Sequence, residues 1–433
     1  MTPSTVEPAP HARRTLFLLW CVFAVAQLDR NILSFALEPI ALEFGLTDTQ
    51  LGLLTGFAFA AVFVLVGFPV AALCLTRSRH AIVSVSVFAW SALTLASAGA
   101  QGFAHLLVAR LGIGAAEAGA VAPAHSMISD LYPEDRHASS LSAFASGANF
   151  GVLLAALIGG VVGQMLGWRW AFAGAGLLGL IVALAFARLA VEPARAVHGD
   201  PDARDALLSQ TLRRLLSQRG TRRALIAFLL MGALVIGTGV WVPTVFVRQY
   251  GLTLSQTGAM IALVAGFVGG TGTALCGLAV DWMGRRDARY RLYVVAGTVA
   301  VAALFKMVFL LIPTPLVGIA AFVLSTFFSF AFWGPGFAFV YAQIPGHQRP
   351  MATAILLLLF NFGGMAVGAT VIGALSDAFA PGAGDRALSY GILCVMLVSP
   401  VAVWLFASAA STRPAIAHQR SDRPGPVSAR WSR

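Results

Sequence analysis

Few residues of this chain are equipped for chemistry, and they are concentrated in two short stretches. One holds Gln27, Asp29, Arg30, Asn31 and Ser34; the other holds Arg110, Gly114 and Glu117. Both stretches lie in apolar surroundings. An ionisable residue at bilayer depth costs about 2.5–3.5 kcal/mol even on the gentlest scale, so such residues are functional candidates. Two acids and two bases, Asp29, Glu117, Arg30 and Arg110, balance when all are ionised. Burial favours the neutral form of a carboxylate, and an adjacent arginine favours the ionised form. Moving the arginine would therefore change proton affinity. This is coupling chemistry: Asp29 and Glu117 would carry protons, and Arg30 or Arg110 would act as switch or substrate anchor. The structural alternative is two buried ion pairs that only tie segments together. On helices, offsets of four and seven put Arg110, Gly114 and Glu117 on one face. At about 100° per residue Gln27, Arg30, Asn31 and Ser34 form a stripe, with Asp29 turned toward a neighbour.

Other chemistries lack their residues. The chain has no HExxH, no GxSxG and no GxxxxGK[ST] loop, which disfavours a metalloprotease, a serine hydrolase and an ATP-driven pump. Cys21, Cys74, Cys276 and Cys394 form no CxxC, so neither a zinc site nor a disulfide frame is expected. No metal and no cofactor is expected, and a proton gradient would be the energy source.

The elements that must position these residues follow from composition. Of 433 residues, 58% are hydrophobic and 11% charged, with mean hydropathy +0.82. A soluble chain is about 45–50% apolar and about 25% charged. The solvent must be a bilayer. A bilayer core needs about 20 apolar residues per helix. Twelve runs qualify: 15–36, 51–74, 81–100, 104–128, 138–165, 168–190, 223–247, 256–280, 292–312, 315–342, 351–375 and 388–409. Barrel strands would be shorter and would alternate. An all-α membrane protein of twelve spans is expected. The start, His11 to Ala26, imitates a signal peptide, but the apolar stretch continues past Ala26, which favours a retained span.

The net charge of +11 does not point to nucleic acid, because the basic residues sit between apolar runs. Of the 29 basic residues 28 are Arg; 23 fall on the side of the termini and three opposite. Cytoplasmic loops carry the positive excess, so both termini are expected in the cytoplasm. The organisation read from this is a tail at 1–14, a six-helix half at 15–190, a central cytoplasmic loop at 191–222, a second half at 223–409 and a tail at 410–433. In the loop, Leu207, Leu208, Leu212, Leu215 and Leu216 at helical spacing predict an amphipathic helix on the leaflet surface.

The halves repeat. Phe44-Gly-Leu-Thr-Asp-Thr-Gln-Leu-Gly52 parallels Tyr250-Gly-Leu-Thr-Leu-Ser-Gln-Thr-Gly258 at an offset of 206. Each Thr-x-x-Gln reads as a capping box. Gly277-Leu-Ala-Val-Asp281-Trp-Met-Gly284-Arg285-Arg286 has the G-x-x-x-D-x-x-G-R-R form, and this resembles the signature between spans 8 and 9 of the major facilitator superfamily. The resemblance implies a cytoplasmic gate formed by Gly277, Asp281, Gly284, Arg285 and Arg286. The first-half copy has Leu75 where the Asp would stand; there Arg79 could pair with Asp130, ahead of Arg136. Asp29-Arg30-Asn31-Ile32-Leu33-Ser34, Leu37-Glu38-Pro39-Ile40, Gly45 to Leu54, and Ala109-Arg110-Leu-Gly112-Ile-Gly114-Ala-Ala-Glu117-Ala118 resemble the Spinster-like branch. Asn361 and Gly373-Ala-Leu-Ser-Asp377 fit as well. That branch implies a secondary, proton-coupled carrier working by alternating access, with an amphipathic organic anion or lysolipid as substrate. The rival is a proton-coupled carrier of small organic acids or drugs; a lipid-modifying enzyme is a distant third. Short tails and compact loops suggest a bacterial inner membrane, with membrane lipids as surroundings and the protein a monomer.

Outside the charge cluster, Trp241 and the aromatic run through Trp333-Gly334-Pro335-Gly336 could line a substrate cavity, and Gly-Pro-Gly should weaken span 10. Arg248 reads as an interfacial residue. Lys306, the only lysine, lies near the outer end of span 9 and is expected to snorkel to the surface.

Overall fold

The computed structural model describes residues 10–133, 136–194, 201–287 and 289–410. These residues form helices and connecting turns, with no strand among them. The end tails fall largely outside the described residues, as do Glu134 and Asp135.

Apolar sequence becomes helix because a backbone in lipid must satisfy its hydrogen bonds within its own segment. Spans 1 to 10 run His11–Phe44, Asp48–Gly67, Arg79–Ser97, Phe103–Leu131, Ser139–Leu166, Trp168–Leu189, Arg219–Tyr250, Leu254–Gly284, Tyr290–Leu311 and Pro315–Tyr341. The last long stretch, Met351–Ala410, has 60 residues and is two spans. It reverses at Gly384, whose φ of +53° suits glycine, so that Gly391 packs against Ile372 and Ser376. This makes spans 11 and 12. Span 1 starts earlier than the sequence suggested, at Pro10, because Thr15 anchors it by accepting the Val191 N–H at 3.1 Å.

Both repeat signals become structure. Thr47 with Gln50, and Thr253 with Gln256, form reciprocal capping boxes at the starts of spans 2 and 8. Gly45 and Gly251, 206 residues apart, both take a φ of +64° to end the preceding helix. The central segment holds a helix, Pro201–Ser217, that does more than lie on a surface: Thr211 and Leu215 are buried, and it packs on the starts of spans 7 and 11.

Five spans are interrupted by a wide π-helical turn rich in glycine. These are Leu53–Phe57 in span 2, Ile158–Val162 in span 5, Ala233–Gly237 in span 7, Val264–Gly269 in span 8 and Phe362–Gly368 in span 11. Such turns often mark functional sites. The halves meet by close backbone approach near them. A Cβ on Gly56 would stand 1.9 Å from the Met365 carbonyl oxygen, and one on Gly258 would stand 2.3 Å from that of Ala156. All of this contact lies toward the end of the bundle opposite the termini, here called the far end. At the termini end, the second part of span 4 (Val121–Leu131), the last part of span 8 (Gly270–Gly284) and the second part of span 10 (Trp333–Tyr341) pack mainly within their own halves. The bundle is shut at the far end and parted at the termini end.

Candidate functional site

The four-charge cluster assembles as two ion pairs. Arg30 Nε donates to Glu117 Oε2 at 2.6 Å, and Arg110 Nη1 lies 3.3 Å from Asp29 Oδ2. As its angle required, Asp29 leaves the span 1 stripe and turns into spans 3 and 4, where Thr94 also hydrogen-bonds to it. Arg110 Nε adds a bond to the Leu54 carbonyl at 3.3 Å. The guanidinium carbons of Arg30 and Arg110 stand 5.1 and 5.5 Å from the centre of the Phe59 ring, and Arg30 is also 5.1 Å from Phe63. Cations over aromatic faces are favoured by the ring quadrupole.

The pairs differ in access. The Asp29, Arg110 and Glu117 side chains are at most 3% exposed, while that of Arg30 is 15% exposed. Only Arg30 can meet a solute without rearrangement. Glu117 Oε1 is buried with no hydrogen-bond partner among the described residues, and so is Arg110 Nη2. A cavity of about 10 Å³ touches Arg30 and Glu117 and is walled by Val22, Ala26, Val121 and Phe144. Glu117 ends the first helix of span 4; a tight turn through Ala118–Ala120 precedes the second. Gly114, one turn before Glu117, lies against the Phe59 backbone, so span 4 approaches span 2 closely beside the carboxylate.

Gln27 and Asn31 flank Arg30, both half-buried, with Asn31 Nδ2 donating to the Gln27 carbonyl at 2.7 Å. Asn361 is also half-buried, just before the wide turn of span 11, and bonds its own helix at the Leu357 carbonyl. Trp333 belongs to an aromatic group with Phe228, Phe337 and Phe360 from spans 7, 10 and 11. Span 10 does break, at Phe330–Phe332, just ahead of Gly-Pro-Gly, which leaves Pro335 in the first turn of the next helix, where it is tolerated. Two expectations are corrected. Trp241 does not line an open cavity: it is fully buried, its indole N–H held by the Ala369 carbonyl at 3.0 Å. Lys306 does not snorkel: its Nζ reaches Leu234 O at 3.0 Å and Thr238 Oγ1 at 2.8 Å on span 7.

The far end is closed by an ion-pair latch that sequence reasoning missed. Arg248 of span 7 bonds Glu38 at 2.6 Å and clasps both Asp48 oxygens at 2.8 and 2.9 Å. Asp377 of span 11 accepts the Asp48 and Thr49 N–H groups at 2.9 and 2.8 Å, and Ser376 donates to Asp48 at 2.6 Å. A carboxylate at a helix N-terminus meets unpaired N–H groups and the positive end of the dipole. The latch thus joins spans 1 and 2 to spans 7 and 11, across the halves. Its signal was present in Thr47-Asp48-Thr49 and Ser376-Asp377, but the partner was not readable.

At the termini end the signature residues are apart from the other half. Span 8 ends at Gly284; Asp281 and Arg285 are exposed, with no ion pair among the described residues, and Arg286 lies over Trp282 at 5.0 Å. Gly277 has open space where a Cβ would sit. Arg79, by contrast, is buried and pairs with Asp130, donates to the Pro193 carbonyl at 2.9 Å and lies 3.6 Å from Glu192. It clasps the first half to itself rather than to the second. Arg136 shapes the turn into span 5 through its backbone.

The sequence model described as Major Facilitator Superfamily matches residues 19–367, well over half of the chain. The chain belongs to the major facilitator superfamily. It is an integral membrane transporter of that superfamily, not an enzyme. This facilitator is 26% identical over 403 residues to an MFS-type efflux pump of Mycolicibacterium smegmatis, covering 91% of this chain and 92% of that one. It is 25% identical to a D-galactonate transporter of Escherichia coli, covering 85% and 89%. Its fold matches the crystal structure of a bacterial homologue of the human lysosomal transporter Spinster, inward-facing and unoccupied, with a TM-score of 0.83 and 22% identity over 97% of this chain and all of that one.

Proposed function

We propose that this facilitator is a proton-coupled carrier of an amphipathic organic anion or a lysolipid-like substrate. It works by rocking residues 1–190 against 223–409 in a bacterial inner membrane, as a monomer with both termini in the cytoplasm. The arginine bias supports the parted end facing the cytoplasm and the latch facing outside, an inward-open conformation.

One observation carries the reading: Arg30 is the half-buried, 15% exposed cap on a fully buried carboxylate. An anion entering from the parted end meets Arg30 first. If the guanidinium turns to the anion, Glu117 is left as a buried carboxylate without its cation, a state relieved by taking up a proton. Anion and proton then bind together. Asp29, locked by Arg110 and Thr94, sets the position of span 1 and is the second proton carrier. Phe63 and the group around Trp333 supply apolar surface, while Gln27, Asn31 and Asn361 are the polar groups left to orient a headgroup. This apolar lining favours an amphipathic anion. The relationship to a D-galactonate transporter supports a second reading, a sugar acid held by the same Arg30.

When the halves rock, the Arg248 latch opens, and Asp281, Arg285 and Arg286, unpaired across the halves now, close the cytoplasmic end. The test is purified protein in liposomes with an imposed pH gradient, offered labelled lysophospholipid and labelled D-galactonate separately. Gradient-driven movement of the lysophospholipid, lost in Arg30→Gln, supports the amphipathic reading. Movement of D-galactonate alone replaces it with the second. Movement of either that survives Arg30→Gln overturns the anchor.

A further inference from the structure

Lys306 is the only charge carried by the second half between the signature at one end and the latch at the other. Spans 7, 9, 10 and 12, which surround it, contain no acidic residue. The charged groups on the packed elements all lie at helix ends: Arg219, Arg222, Arg223 and Arg248 on span 7, Arg291 on span 9, Asp281 on span 8, and Asp385 and Arg386 in the turn before span 12. No ion pair to Lys306 exists among the described residues.

Its hydrogen bonds are specific. The nitrogen donates to Leu234 O at 3.0 Å and Thr238 Oγ1 at 2.8 Å, and Thr238 donates in turn to Leu234 O at 2.8 Å. Leu234 lies inside the wide turn of span 7, Ala233–Gly237, and Thr238 follows it directly. Lys306 also lines a cavity of about 20 Å³ whose walls are apolar, Met231, Val299, Ala303 and Met396 among them, apart from Ser329. The Ser329 hydroxyl donates to Ser325 O at 2.7 Å.

The donor count favours the neutral form. An ammonium has three N–H donors, each of which needs a partner at bilayer depth. Two acceptors are supplied, and no carboxylate. A neutral amine has two N–H donors and one lone pair, which matches two acceptors and an apolar cavity. A lysine on a half-buried, partly desolvated stem changes protonation more readily than an arginine.

We propose that Lys306 is a further proton-binding site, in the opposite half from Asp29 and Glu117. It is a neutral amine while the far end is latched, and it takes a proton when the wide turn of span 7 lets go. Thr238 lies ten residues from Arg248, about 15 Å along the same helix, so the lysine clamps the span that carries the latch. Its role in transport rests on the proton-coupled reading above, but its protonation is measured independently of any substrate.

The chain's single lysine makes the experiment direct. Protein grown on lysine labelled with nitrogen-15 at the ζ position gives one side-chain signal, whose shift separates amine from ammonium. The expected result at mildly alkaline pH is an amine in the wild type and an ammonium in Arg248→Ala. An ammonium in the wild type, or an amine that persists in Arg248→Ala, overturns the proposal. Flux then tests its use. Lys306→Met should lose part of the pH dependence of substrate exchange, and Lys306→Arg, charged at every pH, should slow exchange tenfold or more. An unchanged pH profile in both variants would make the lysine a structural clamp. Failure of proton-driven flux through Glu117 would leave the nitrogen titration as it is, so the two claims fail separately.

Discussion

Removing Arg248 should open the far end. Arg248→Ala deletes three charge-assisted hydrogen bonds of 2.6, 2.8 and 2.9 Å. It also leaves Glu38 and Asp48, formerly bridged, as neighbouring like charges. A hydrogen bond to a charged group contributes about 1.5–3 kcal/mol when buried. The side chains here are 20, 17 and 8% exposed, so water competes in part, and exposed ion pairs contribute about 1 kcal/mol or less. The open state also recovers solvation. Together these bring the sum down to about 2–3 kcal/mol, which shifts the closed-to-open ratio about 30- to 150-fold. The assay is a distance between spin labels at Leu42→Cys and Asp385→Cys, both exposed at the far end, one on each half. The background carries substitutions at Cys21, Cys74, Cys276 and Cys394. The distance distribution should gain a long component in Arg248→Ala, and Arg248→Lys should fall between that variant and the wild type. A distribution that does not change in Arg248→Ala would refute the latch, and with it the claim that these ion pairs hold the halves together.

Further outcomes follow from the same contacts. Gly56→Leu should favour the open far end by the same spin-label readout, because even a Cβ there would stand 1.9 Å from the Met365 carbonyl oxygen; an unaltered distance would show that the spans approach differently. Arg110→Met leaves Asp29 as a buried, unpaired carboxylate, which should destabilise the protein by about 3–5 kcal/mol and lower its thermal transition, with Asp29→Asn/Arg110→Met recovering most of the loss; equal losses in single and double variants would contradict the pairing. Asp377→Asn weakens the acceptor of the Asp48 and Thr49 N–H groups and should open the far end less than Arg248→Ala does. A larger effect would make Asp377 the principal element of the latch.

The span positions and the repeat were legible because both are local. Twenty apolar residues suffice to mark a span, and Thr47 and Thr253 cap helices with partners three residues away. The charge cluster was legible because ionisable residues within apolar runs must pair with one another or face a cavity, and the angle of Asp29 from the stripe foretold its separate partner. The missing parts are those that depend on azimuth or on the other half. Thr94, which bonds Asp29, looks like any hydroxyl that bonds its own helix, and it does that too, at the Trp90 carbonyl. Arg248 at the end of a span reads as interfacial because position along the chain gives depth but not the facing residue. Lys306 was misdirected for the same reason: its depth allowed snorkelling, while its direction led to the wide turn of span 7. The glycines of the wide turns look like ordinary small residues at helix contacts.

The central claim is that Arg30 gives up Glu117 to an anion and that Glu117 then takes a proton. The most direct measurement is flux through Glu117→Gln in liposomes, read in two modes with the same labelled substrate. Gln keeps the volume and cannot titrate. The account predicts that Glu117→Gln still exchanges substrate across the membrane when no gradient is imposed, but no longer accumulates it in response to a pH gradient. Accumulation that persists in Glu117→Gln would contradict the account and leave the Arg30–Glu117 pair as a structural tie between spans 1 and 4.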